Sequence, residues 1–403
     1  MAFSSSSPPA LSDTLKAMRR VITGVDAQGR STVSVEGRAP GQHENASYKG
    51  RGFTDFWVWR KTPQPLHGRD DTGLWPDEFP GPAGGGHLRV VHWLSDGGQP
   101  DKVPPIVPPH DPKRAADGGR SWDRGGGNNF CISDMHKTES IDFGIVLEGE
   151  RILVCDEGET TIRPGDIVIQ VGAWHLWNSS AKGCHMAFDM FSADFGPGDG
   201  HHGLQEHDVP LVQPRPGQVL PAGVKPQRRV ITIDHEPGRS KIVSDAPSPD
   251  VRLDPARPGY ALQRMWVVAG HPAPMVPESL QMPHVLIPPQ RGTVLNVVTL
   301  PPDANWQGRA TAQDAQAFYA AQGASSIATC GSIPGHPYSQ RSNTVDFLVV
   351  TEGEVTLVLD TGEATLKAGE IGVVRGGNHA LANRTGRPAV VAISSHDAVP
   401  GED

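Results

Sequence analysis

Cysteine is scarce in this chain. The four present (Cys131, Cys155, Cys184 and Cys330) form no C-x-x-C pair, which excludes a disulfide-stapled scaffold. No apolar run approaches the roughly 20 residues that a membrane-spanning helix requires. Positive charge is also short: 36 Lys and Arg against 45 Asp and Glu leave a net charge of −9, without the basic footprint of a nucleic-acid binder. The opening MAFSSSSPPALSDTL is polar and has no charged-then-apolar signal pattern. These absences predict a soluble, cytoplasmic protein that meets neither membrane nor nucleic acid. G-x-S-x-G, P-loop and H-E-x-x-H motifs are missing, and the glycine runs at 81–86 and 125–129 lack the following helix that phosphate binding needs. Apolar residues make up only 37% of the 403, whereas Gly (47) and Pro (38) together exceed a fifth of the chain. That balance suits short strands joined by many turns.

The chain repeats itself. Residues 19–31, RRVITGVDAQGRS, match residues 228–240, RRVITIDHEPGRS, at eight of thirteen positions and an offset of 209. Residues 141–166 match 345–370 at an offset of 204, so the copies differ by one small net loop deletion. Each copy opens with a strand, continues through β-rich stretches (53–60 and 88–94; 261–268 and 293–300), and ends in closely spaced strands carrying the repeated core. DEGE, DTGE, R-P-G-D and K-A-G-E supply tight-turn chemistry between these strands. Thr311 as N-cap and Gly323 beyond the last turn predict one short helix over 311–323. The pattern gives an N-terminal tail (1–17), a first domain (18–195), a Gly/Pro/His-rich linker (196–226) and a second domain (227–403).

Several elements in order, twice, resemble the cupin superfamily. Its first motif has the form H-x-H-x(3–4)-E-x6-G, and its second is a G-D turn followed by G-x-x-H and a nearby Asn. The first copy reads His136, Thr138, Asp142 and Gly149, then Gly165-Asp166, then Gly172, His175 and Asn178. The second reads Gln340, Ser342, Asp346 and Gly353, then Gly369-Glu370, then Gly376, His379 and Asn383. The resemblance implies an all-β bicupin: two tandem double-stranded β-helix, jelly-roll-like barrels with a few short helices.

A cupin metal site resembles three His and one Glu around one divalent ion. Here Thr138 stands at the second His position and Asp142 at the Glu. His136, Thr138 and Asp142 share strand parity and can face the barrel interior together. His136, Asp142 and His175 are therefore the implied metal-ligating and catalytic set, a facial-triad composition suited to Fe(II), with Mn, Ni or Zn as alternatives. Asp142 equally suits a structural role, accepting backbone N–H groups at a turn. Thr138, Trp177 and His185 are candidate pocket residues, although His185 also reads as a satisfied core histidine. Trp57, Trp59 and Trp93 read as packing, and His201, His202 and His207 as a solvated linker cluster. The second site (Gln340, Asp346, His379) keeps one imidazole and one carboxylate and reads as degenerate.

The resemblance implies a metalloenzyme for a small-molecule substrate, a mononuclear Fe(II) dioxygenase acting on a small aromatic or organic acid. The same site used without oxygen as an isomerase, lyase or decarboxylase is one alternative; a non-catalytic binding bicupin is the other. A homodimer is compatible with either.

Overall fold

The structure is a computed structural model that describes residues 11–66, 71–93, 102–116, 119–196 and 210–400. His201, His202 and His207, much of the expected linker and residues 94–101 and 117–118 lie outside these residues. Within them the chain is all-β with one α-helix, and its strands fall into two large sheets, one per copy, and two small three-stranded sheets. The helix, Ala312–Ala321, starts where the sequence places it: Thr311 accepts from the Asp314 amide while the Asp314 side chain accepts from the Thr311 amide. Gly323 follows at a left-handed φ of 64° and ends it.

Alternation along the strands decides which way each residue faces. In the long strand Ser140–Val154, Ile141, Phe143 and Ile145 point to one face and Asp142 to the other. The equivalent strand Thr344–Glu352 sends Val345, Phe347 and Val349 the same way. These two apolar faces meet. The largest core cluster joins Phe143, Ile169 and Phe191 of the first copy to Phe347, Val373 and Trp266 of the second. Each such buried side chain contributes at most about 1.5–3 kcal/mol. The other face of each large sheet lines the interior of its own unit.

Hydrogen bonding crosses between the copies. The first hairpin (Arg19–Val25 with Ser31–Arg38) pairs parallel with Ile371–Arg375 of the second copy, Val21 opposite Gly372. The second hairpin (Arg228–Glu236 with Arg239–Pro247) pairs parallel with Ile167–Val171 of the first, Ile169 opposite Ile231. The two-residue strand Gln64–Pro65 joins the last strand of the second copy, and Ala273–Pro274 joins the last long strand of the first. Each exchange is thus reciprocal.

The repeated arginine of RRVIT then ties each hairpin back to its own copy. Arg229 donates to both oxygens of Glu278 at 2.8 Å, and Arg20 donates to Asp71 and to the Phe56 carbonyl. The buried Asp189, Ser394 and His396 add a polar contact across the shared core, His396 Nε2 lying 2.8 Å from Asp189.

Candidate active site

A cavity of about 350 Å³ opens inside the first sheet, lined by His136, Thr138, Asp142, His175 and Trp177 among others. Five of the six candidates from the first copy therefore share one space. His136 and His175 are held by their backbones: the amide of each donates to the carbonyl of the other at 2.9 Å. Their rings stand 4.3 Å apart between centroids. Nδ1 of His136 lies 2.7 Å from the Asp134 carbonyl oxygen, and Nδ1 of His175 lies 2.8 Å from that of Ala173. A carbonyl oxygen only accepts, so both Nδ1 atoms carry hydrogen and both Nε2 atoms present lone pairs. Burial lowers the pKa of both rings, that of His175 well below the ordinary value, so both are neutral near pH 7. Two neutral imidazoles, each fixed in tautomer by a carbonyl, are the arrangement that ligates metal ions.

Asp142 does not complete a triad. Among the described residues no three His, Cys, Asp or Glu side chains converge at metal distance. Its carboxylate accepts from the Ser140 hydroxyl at 2.6 Å, and the Ser140 oxygen in turn accepts from the Thr138 hydroxyl at 2.8 Å. Burial, opposed by the Ser140 hydrogen bond and reinforced by Asp189, raises its pKa to about 7. The donor set therefore fits a divalent ion through two imidazoles, with the remaining positions left to water or substrate.

His185 does not line the cavity. On the strand Leu176–Asp194 the even residues Phe188 and Met190 face inward, and His185 faces the other way. It packs edge-on against His92 at 5.0 Å, with Nδ1 3.2 Å from Glu148.

Among the cavity residues that the sequence reading missed, five stand out, namely Arg51, His87, Trp93, Arg151 and Gln170. Arg151 is buried, with its guanidinium 4.7 Å from the Trp93 ring centroid and 4.8 Å from that of Trp177. Arg51 lies over Trp93 at 4.2 Å. Neither end of the buried Gln170 carboxamide has a hydrogen-bond partner among the described residues, nor does Nε2 of His87. Trp93, read as packing, is a cavity wall. A signal existed for two of these. At the offset of 204, Arg151 corresponds to Val355 and Gln170 to Val374, polar residues where the second copy is apolar.

The second copy keeps the backbone arrangement with Gln340 at the position of His136. Gln340 and His379 exchange the same pair of backbone hydrogen bonds, at 2.8 and 2.9 Å, and Nδ1 of His379 again meets a carbonyl, that of Gly377. The Gln340 amide then sits 3.2 Å from His379 Nε2 and occupies its lone pair. Asp346 lines the same space, a cavity of only about 90 Å³. Arg257 packs beside it over Tyr338 and Tyr260, neutralised by Asp254 at 2.6 Å.

Stretches of the chain are similar to curated fungal proteins. It is 47% identical over 49 residues to the cupin-domain-containing oxidoreductase virC of Hypocrea virens, covering 12% of this chain and 25% of that protein. It is 46% identical over 46 residues to the cupin-domain-containing oxidoreductase fogC of Aspergillus ruber (11% and 23%), and 54% identical over 46 residues to phomopsin biosynthesis cluster protein C' of Diaporthe leptostromiformis (11% and 24%). Together with the duplicated motif and the two all-β units, these are consistent with a bicupin. The chain spans about a quarter of the length of the curated relatives it matches. No family model matches it. Among solved structures it is similar to quercetin 2,3-dioxygenase from Acinetobacter baumannii (TM-score 0.32, 12% identity, 78% of this chain and 74% of that one). It is also similar to oxalate decarboxylase from Bacillus subtilis (TM-score 0.28, 10% identity, 66% of each).

Proposed function

We propose that the first unit of this bicupin is the working one, a mononuclear metal site of an oxidoreductase, and that its reaction is dioxygenation of a small aromatic or organic acid. The observation that carries this reading is the His136–His175 pair, two neutral imidazoles with lone pairs aimed into a cavity of about 350 Å³. His136 and His175 would hold the divalent ion, Fe(II) first, with Mn, Ni or Zn as alternatives. Bound there, the ion supplies Lewis acidity and, as iron, redox chemistry. Trp177 and Phe188, 5.9 Å apart between ring centroids, wall the cavity against water. The Asp142 carboxyl, with its pKa raised to about 7, takes up and releases a proton near neutral pH beside the bound molecule. That proton site also favours a second reading, an isomerase, lyase or decarboxylase that uses the same two histidines without oxygen.

Metal analysis of purified protein tests the proposal. About one ion per chain is expected, lost in His136→Ala and His175→Ala and retained in His379→Ala. A metal-free protein whose stability is unchanged by either first-copy substitution would leave a non-catalytic binding bicupin as the better description. Oxygen uptake with a panel of catechols, hydroxybenzoates and keto acids then separates dioxygenase from lyase.

A further inference from the structure

Most buried arginines in this chain have a carboxylate. Arg89 reaches Asp55 at 2.7 Å and Asp77 at 2.5 Å, Arg229 has Glu278, and Arg257 has Asp254. Arg51 and Arg151 make no ion pair among the described residues, although both line the larger cavity. Arg51 Nη1 and Arg151 Nε are buried without a hydrogen-bond acceptor. What they have is aromatic: both guanidiniums lie over Trp93, and that of Arg151 also over Trp177. Burial lowers both to about 10, so both remain charged at neutral pH. Asp134 also lines the cavity, but it accepts from the Gly127 amide and pairs with neither arginine. A cation held in a protein interior without an anion is costly, and a guanidinium whose packing partners are indole rings keeps its N–H fork available for a planar carboxylate.

We propose that Arg51 and Arg151, stacked on Trp93 and Trp177, form the anion subsite of this cavity and receive the carboxylate of an aromatic or conjugated monoacid. Phe53, Phe188 and the two indoles would hold its planar body, and the unpaired Gln170 carboxamide supplies a further polar contact inside the same cavity. The second copy shows the contrast. Val355 and Val374 replace Arg151 and Gln170, and its cavity arginine is already neutralised by Asp254.

The inference rests on the first unit being the functional one, but not on a metal. Its test therefore uses chelator-treated full-length protein, with sodium benzoate and its neutral isostere benzamide as probes in titration calorimetry. Benzoate should bind roughly ten- to a hundredfold more tightly than benzamide, the discrimination expected of a charge-assisted pair. Arg151→Gln and Arg51→Gln should each erase most of that difference, weakening benzoate far more than benzamide, and Arg151→Lys should restore part of it. Equal affinity for the two probes, no binding of either, or Arg→Gln variants that still prefer benzoate would overturn the proposal. The probe comparison on unaltered protein stands even where a variant does not fold. Preference for benzoate in a protein that carries no metal as purified and takes up none when it is added would refute the metal reading and leave the anion subsite standing. A metal-bearing protein indifferent to benzoate would do the reverse.

Discussion

The exchanged second hairpin is anchored to its own copy by the buried Arg229–Glu278 ion pair, and deleting half of it should unsettle the whole molecule. Glu278 accepts from Arg229 twice at 2.8 Å, and from the amides of Ser279, Leu280 and Val212 at 2.8–3.1 Å. Its side chain is 0% exposed and that of Arg229 is 2% exposed. Glu278→Ala therefore strands a buried guanidinium, a loss of about 3–5 kcal/mol. With an unfolding entropy of about 2.1 cal/mol/K per residue, the 403-residue chain unfolding as one unit should lose about 4–6 °C in Tm. Were the two copies to unfold independently, half that entropy would roughly double the shift and confine it to one of two transitions. Scanning calorimetry separates the cases. A single transition moved by several degrees is expected, with most of the loss recovered when Arg229→Met is combined with Glu278→Leu. Two transitions, or a shift below about 1 °C, would refute the anchoring role. Burial alone would raise the Glu278 pKa, but Arg229 and the amides hold it below its ordinary 4.5. The pair's contribution is thus complete above about pH 4.5 and is lost as pH falls through the lower folded value. The gap between wild type and Glu278→Ala should close on acidification.

Asp142 should act in the opposite sense. Unfolded, it ionises near its ordinary 3.8, while the folded chain retains the proton until about 7, so stability falls as pH rises through that window, by up to about 1.4 kcal/mol per unit. Asp142→Asn should remove this slope relative to wild type, read from Tm of chelator-treated protein at pH 4 to 7; an unchanged slope would show that the carboxyl ionises normally. The duplicated turn glycines offer a paired comparison. Gly149 and Gly353 adopt φ of 74° and 76°, yet an added Cβ would meet the Gly183 carbonyl oxygen at 2.1 Å in the first and nothing nearer than 3.1 Å in the second. Gly353→Ala should cost about 1–2 kcal/mol from left-handed strain, and Gly149→Ala more, measured by urea unfolding; equal costs would contradict the close approach.

The duplicated architecture was legible because turns and strand alternation are local. DEGE and DTGE, or the capping pair Thr311 and Asp314, declare their structure within a few residues. The hairpin exchange was not, since RRVIT reads as the same half-buried strand whichever sheet it joins, and parallel pairing leaves no turn to mark its partner. In the site, His136, Thr138, Asp142, His175 and Trp177 were placed together by motif spacing. His185 was misplaced because the register of its strand against Val146 and Glu148 shifts, and inward parity there belongs to Phe188 and Met190. Whether Asp142 joins the histidines depends on which neighbour its oxygens choose, and Ser140 is closer at hand than any spacing rule can express. Arg151 and Gln170 were overlooked because attention to what the copies share conceals what only one of them needs.

The reciprocal hairpins carry a consequence for ancestry. Two units that trade opening hairpins, each then pairing in parallel with the other's sheet, are arranged as a symmetric dimer of single-unit subunits would be. Joining the subunits end to end converts that association into an intramolecular one, independent of protein concentration. Once partners are permanently paired, only one of them has to keep a binding chamber. The second copy, where the Gln340 amide sits against His379, is then free to differ from its twin.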